Sequence, residues 1–493
     1  MPFLSLPGAV RMHYDVLGSP GGSQTNVDPT KPILVVLCPF VSVQASELPQ
    51  LSPGSPLHDT YQIVAFSPRS HGRTTSDSKA QHDPFVSAAD LAFAFEALQL
   101  PPSPLFAPGS ICGRIAVAFT ILFPHLVTSL ALIGMAGRGA KASREAFRTL
   151  DGSMFNPEEP EDMHETLAEL CRSLYNEYIS VDESDKFLNL LLRRYNPRNV
   201  VHNYELCRMS YLSFNVPEDA VASITQPVLL LHGDCDRYNS VQDFAEWQQL
   251  FTGAQEVDAH IIPDAPHLCW MTNPAEITSR LSSFLCRHAP PSTPSYHAPD
   301  FPAALRRVAQ LTSNAKAAQR NPRSAESFSC LSDEDKDEAA GDLSRMREYA
   351  AAWQSRPLLE GADSVEPWEE QAMGRVPRPK WRFSRRYDTL DESPRSSTAR
   401  FSVASEVFVQ IASVEQSEKV VDVLDARPMS TVEVQVLPSI AAMQESDWSD
   451  DEDSIGHSDR KDSGFVDAVE SQPSDIKPSY ESITEPLLRI SLA

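Results

Sequence analysis

The chain has 493 residues and a formal net charge of −25, from 67 acidic and 42 basic side chains. That balance excludes general nucleic-acid or anionic-membrane binding, which needs clustered Lys and Arg to displace counterions from phosphates. Apolar runs are dense up to about residue 290, and only this part has the composition to bury a core; beyond it Ser, Pro and charged residues take over.

The eight cysteines (38, 112, 171, 207, 235, 269, 286 and 330) form no C-x-x-C pair and no zinc-spaced His/Cys cluster. They read as free thiols of a reducing compartment, taken as the cytoplasm. Met1 to Gly8 lacks the basic start and long apolar core of a signal peptide. The apolar window Ile115 to Met135 is long enough for a membrane span, but Pro124, His125 and Ser129 interrupt it. It reads instead as a helix at 115–123 and a strand at 129–135.

In chain order, Arg11 to Gly18 alternates as an early strand, and a Gly, Pro and Asn-rich loop follows at 19–31. Ile33-Leu34-Val35-Val36-Leu37 and Tyr61-Gln62-Ile63-Val64-Ala65-Phe66 are continuous runs of the kind buried on both faces of a parallel sheet. They lead into the loops Cys38-Pro39-Phe40 and Ser67 to Thr74. A helix is expected over 88–98, then a strand through Leu105 to Ala107, a tight turn at Pro108-Gly109-Ser110, and the helix and strand of the apolar window. Residues 137–219 carry only helical patterns (161–179, 184–195 and 200–214), so they read as an inserted lid. Strand and helix alternation resumes with Pro227–Gly233, 241–251, 259–262 and 274–287. The alternation predicts a doubly wound, mostly parallel α/β sheet whose site forms beyond the carboxyl ends of the strands.

Ser110 stands where a strand turns sharply into a helix, a position that exposes a hydroxyl above the sheet. The nucleophile-elbow pattern G-x-S-x-G is imperfect, because Pro108 and Cys112 occupy the positions two before and two after the serine. By itself a serine between glycines reads as an ordinary turn.

The ordered landmarks over residues 9–288 give the chain a resemblance to the α/β-hydrolase superfamily. The loop Ser67-Pro68-Arg69-Ser70-His71-Gly72-Arg73-Thr74 is similar to that family's D-x-R-G-x-G-x-S, Gly233-Asp234-Cys235-Asp236 to its G-x-x-D, and Ala265-Pro266-His267-Leu268 to its histidine loop. The resemblance implies a triad in the order Ser, Asp, His: Ser110 as nucleophile, Asp236 orienting the imidazole, with Asp234 as the rival acid, and His267 as base and later acid. It implies an oxyanion hole from the backbone N–H groups of Phe40 and Ile111. Taken singly, His267 would be a loop histidine and Asp236 a turn residue; Cys38 and Cys112 read as packing, and His71, His125 and His232 as structural.

This reading gives a serine hydrolase of esterase or lactonase type, acting on an ester, lactone or thioester of a small apolar acyl compound without metal or organic cofactor. The same triad leaves acyltransferase chemistry open, and the departures at 108, 112, 38 and 39 leave open a non-catalytic binding or scaffold protein. Lid residues such as Leu167, Leu174 and Leu191 are expected to pack among the lid helices.

The chain is divided as a hydrolase domain at 1–288 and a mostly disordered Ser/Pro/acidic tail at 289–493. Helices are expected in the tail at 303–320 and 334–354, the first able to dock on the domain, with apolar alternations at 401–412 and 420–437. A basic and aromatic cluster at 375–386 reads as a solvated segment, with a nuclear-targeting or acidic-surface-binding patch as the alternative. Ser393-Pro394 and the serines near 448–454 would be reachable by a kinase or protein partner.

Overall fold

The computed structural model describes residues 3–18, 31–39, 45–137, 159–175, 180–211, 215–289 and 295–356. Among these, eight strands form one sheet in the order β1-β2-β4-β3-β5-β6-β7-β8. The strands are β1 (Phe3–Leu6), β2 (Val10–Leu17), β3 (Ile33–Leu37), β4 (Gln62–Phe66), β5 (Ser103–Pro108), β6 (Val127–Ile133), β7 (Val228–Gly233) and β8 (Val257–Ile262). The β1–β2 and β2–β4 pairs are antiparallel and all others parallel. Every residue of β3, β4, β5 and β7 is buried, which is why these strands are apolar runs rather than alternations.

Helices α1 (Pro56–Thr60), α2 (Pro84–Leu98) and α3 (Ser110–Leu122) connect the central strands. From β3 the chain steps outward to β4 and then back across β3 to β5, so right-handed crossovers put α1 on one face and α2 and α3 on the other. The insertion is helical where described: α4 (Pro160–Tyr175), α5 (Val181–Arg194) and α6 (Val200–Tyr211), followed by the short α7 (Glu218–Ala222). Leu167, Leu174 and Leu191 are buried among these cap helices and the core. Helices α8 (Val241–Leu250), α9 (Cys269–Thr272) and α10 (Pro274–Arg287) complete the alternation. Among the described residues no helix is long and apolar enough to cross a membrane.

Packed elements continue past the expected boundary at 288. Residues 295–356 form an arm containing α11 (Phe301–Leu311) and α12 (Asp333–Trp353), and α11 lies on the core. Phe301 stacks on Phe93 of α2 at 4.4 Å and meets Phe123 edge-on at 5.7 Å. The physical reason lies in α2 itself. All residues from Pro84 to Phe95 are buried, so this helix has no face to offer to water and needs a cover beyond the sheet and α3. The features read at 375–386, 393–394, 401–412, 420–437 and 448–454 lie outside the described residues.

Candidate active site

The carboxyl ends of β5, β7 and β8 carry the three candidate side chains. After β5, Gly109 takes φ 87° and ψ 150°, a conformation that side-chain-bearing residues rarely adopt. A Cβ there would also lie 3.5 Å from the Trp270 ring and 3.7 Å from Pro39. Ser110, partly exposed, opens α3. The left-handed residue of the turn is thus the glycine, one position before the serine. With glycine at the N-cap, the first-turn N–H groups of α3, that of Ile111 among them, carry no side-chain cap. Phe40, the other expected oxyanion donor, lies outside the described residues.

Asp236 follows β7 in a tight turn. One carboxylate oxygen accepts the backbone N–H groups of Tyr238 (2.7 Å) and Asn239 (3.0 Å), which fixes the side chain. The other accepts a 2.8 Å bond from Nδ1 of His267, on the loop after β8. With Nδ1 as donor, the lone pair of the neutral imidazole sits on Nε2, the tautomer a general base requires. The Asp236 side chain is inaccessible; burial opposes its charge, but His267 beside it, His232 and the backbone donors outweigh that and hold its pKa below the ordinary value. Asp234, the rival acid, instead accepts the N–H of Ala265.

The His267 ring lies edge-on to Tyr238 at 5.5 Å and to Trp270 at 5.9 Å. Gly134, at φ 64° at the end of β6, lies beside it, in a backbone conformation that favours glycine. Asn239 stands beside both, its Nδ2 donating to the Gly134 carbonyl at 3.2 Å and lying 3.2 Å from His267 Nδ1, whose proton goes to Asp236. Trp270 and Asn239 were missed in the sequence, since neither belongs to a motif; each is recognisable only through what it touches. The structure shows no hydrogen bond between Ser110 Oγ and His267.

Taken with the sheet order, the candidate serine after β5, acid after β7 and histidine after β8 define the architecture. This is an α/β-hydrolase fold. Its other landmarks have structural roles. Arg69 makes a two-point buried ion pair with Asp90 of α2, Nε to Oδ2 at 2.6 Å and Nη2 to Oδ1 at 3.0 Å. Thr74 Oγ1 donates to the Ser67 carbonyl, closing that loop on itself. The Cys112 thiol donates to the Cys38 carbonyl at 3.3 Å, and burial pushes both thiols up, as expected of packing cysteines. All eight cysteines are free. His232 is buried, with Nε2 3.1 Å from the Asn239 carbonyl. Among the described residues no cluster of metal-ligating side chains is present.

A second serine–histidine–carboxylate set was not anticipated. His82 Nε2 lies 2.8 Å from Ser87 Oγ, and its Nδ1 lies 2.8 Å from Oε1 of Glu205 on cap helix α6. All three residues are buried, so the set ties the cap to the core rather than facing a substrate.

No protein-family model matches the sequence, and no curated protein matches it. Among solved structures the chain is similar to an enol-lactonase from Burkholderia xenovorans LB400, at 16% identity over 58% of this chain and 100% of that one, with a TM-score of 0.46. It is also similar to a thermophilic esterase from Thermogutta terrifontis, at 19% identity over 58% and 99%, TM-score 0.46. An esterase from Rhodococcus sp. ECU1013 matches at 15% identity over 59% and 100%, TM-score 0.46.

Proposed function

We propose that this chain is a serine hydrolase that cleaves an ester, lactone or thioester of a small apolar acyl compound, in a reducing compartment taken as the cytoplasm. The observation that carries this reading is the buried 2.8 Å contact between His267 Nδ1 and Asp236 Oδ2, on the same rim as Ser110. An oriented neutral imidazole beside a rim serine is what nucleophilic acyl chemistry requires. Ser110 Oγ attacks the acyl carbonyl carbon while its proton passes to His267 Nε2, and Asp236 stabilises the resulting imidazolium. The oxyanion is held by the N–H groups of Ile111 and Phe40. Collapse expels the alcohol or thiol, which takes the proton from His267. Water then attacks the acyl-serine by the same route in reverse. An acceptor alcohol or thiol in place of that water would make the reaction acyl transfer.

A second reading, a non-catalytic binding or scaffold protein, is favoured by two observations: Ser110 makes no hydrogen bond to His267, and the left-handed turn residue is Gly109. Fluorophosphonate labelling separates the two. Intact-mass measurement should show one adduct on the wild type and none on Ser110→Ala or His267→Ala; a folded wild type that stays unlabelled favours the binding protein.

A further inference from the structure

The arm is fastened at its two ends in different ways. Its first half belongs to the main core: Phe301 and Phe328 pack with Phe123, Arg307 donates to the Leu122 carbonyl at 2.8 Å, and the Cys330 N–H donates to Asp83, the N-cap of α2, at 2.7 Å. Its second half, α12, lies on the cap. There Val200 and Tyr204 of α6 meet Leu343, Met346 and Ala350 of α12 in a small apolar cluster separate from the main core. Tyr204 Oη donates to Asp342 at 2.5 Å, and Arg198 reaches past the end of α12 to the carbonyls of Trp353 and Arg356. Arg347 of α12 also donates to the Ser78 carbonyl on the core, at 2.7 Å.

The cap in turn bears on the rim at two points. Glu205, on the face of α6 turned to the core, sits within 2.8 Å of His82 and accepts from Ser70 and Ser78. The carbonyl of Leu174, in the last turn of α4, accepts the N–H of Leu268, the residue after His267, at 3.1 Å. Leu170 of α4 packs against the same Val200 and Tyr204 cluster, so direct contacts run from α12 through α6 and α4 to the histidine loop. Satellite clusters of a few side chains open at lower free energy than a main core does.

We propose that α12 is a releasable strap that seats the cap on the rim: when α12 lifts, α6 and the contact between α4 and Leu268 lift with it, while α11 keeps the arm attached to the core. The inference does not depend on Ser110 being an activated nucleophile, and its test uses no substrate. The test is native-state hydrogen exchange on the full chain in rising denaturant, resolved by peptide.

The expected result is that α12, α6 and the Leu268 amide lose protection in one shared opening, at denaturant concentrations where β5, β6 and α11 remain protected. In full-length Met346→Glu, which puts a carboxylate into the small cluster, these same amides should exchange at least about tenfold faster with β5 and β6 unchanged. Two results overturn the proposal: α12 opening while α6 stays protected, or α12 and α6 opening only together with β5 and β6. The wild-type profiles decide between these by themselves, whatever the variant does to folding.

Discussion

The two halves of the candidate site are built to different degrees of order. The acid and base half is fixed before any substrate arrives: Asp236 is held by two backbone donors and the His267 ring is flanked by Tyr238, Trp270 and Asn239. The nucleophile half is fixed only through its backbone, by a left-handed glycine and a helix start, and the Ser110 hydroxyl is not engaged by the base. The difference teaches that preorganisation here is spent on holding the imidazole in one tautomer. In the proposed mechanism the contact between serine and base forms in the substrate complex, where such hydrogen bonds commonly tighten.

Four variants and conditions sharpen that contrast, in descending size of effect. Ser110→Ala and His267→Ala should each lower kcat/KM on a cleaved ester by on the order of 10⁵–10⁶, with the double variant no worse than either single one, because the residues act as a unit. Asp236→Asn should cost roughly 10⁴ in kcat while the fold stays intact, since the amide favours the wrong imidazole tautomer; steady-state kinetics with circular dichroism as the folding control reads both. Gly109→Ala should cost about 1–2 kcal/mol in urea unfolding from the left-handed conformation, more than Ser110→Ala costs by the same measure.

The fourth is a pH dependence. The pKa of Asp236 in the folded chain is depressed below the ordinary carboxylate value, so its contribution to stability is fully present above the unfolded value and is lost as pH falls through the folded one. Glu205 behaves likewise: burial opposes its charge, but His82 and Ser70 outweigh it and lower its pKa from 4.5 to about 2. Urea midpoints measured from pH 5 down to 2.5 should therefore fall, and fall less steeply in Asp236→Asn and in Glu205→Gln. Ser110→Ala should leave the slope unchanged, which assigns the acid sensitivity to these two buried carboxylates and not to the nucleophile half of the site.

The sheet was legible because its strands are short, apolar and bounded by turns: Ile33–Leu37 and Val228–Gly233 stand within a residue of their expected limits. Helix α10 begins at Pro274 and ends at Arg287 as read, proline supplying its first turn. The side chains of Asp236 and His267 meet, yet only the ordered landmarks and not their local sequence pointed to that. The four-residue edge strand β1 was missed because Phe3–Leu6 is too short to show a period. A helix at 303–320 able to dock on the domain was legible, but not where it would lie, which only the burial of α2 explains. Its unbroken burial from Pro84 to Phe95 calls for a further partner, but nothing local names Phe301, more than two hundred residues away, as that partner.

The central claim, that His267 and Asp236 activate Ser110, is tested most directly by a crystal structure of the protein after saturation with a fluorophosphonate. The account predicts phosphorus bonded to Ser110 Oγ, with the phosphonyl oxygen roughly 2.7–3.1 Å from the Ile111 backbone nitrogen. An unmodified Ser110 under saturating probe, or an adduct on another serine such as Ser87 beside His82, would contradict it.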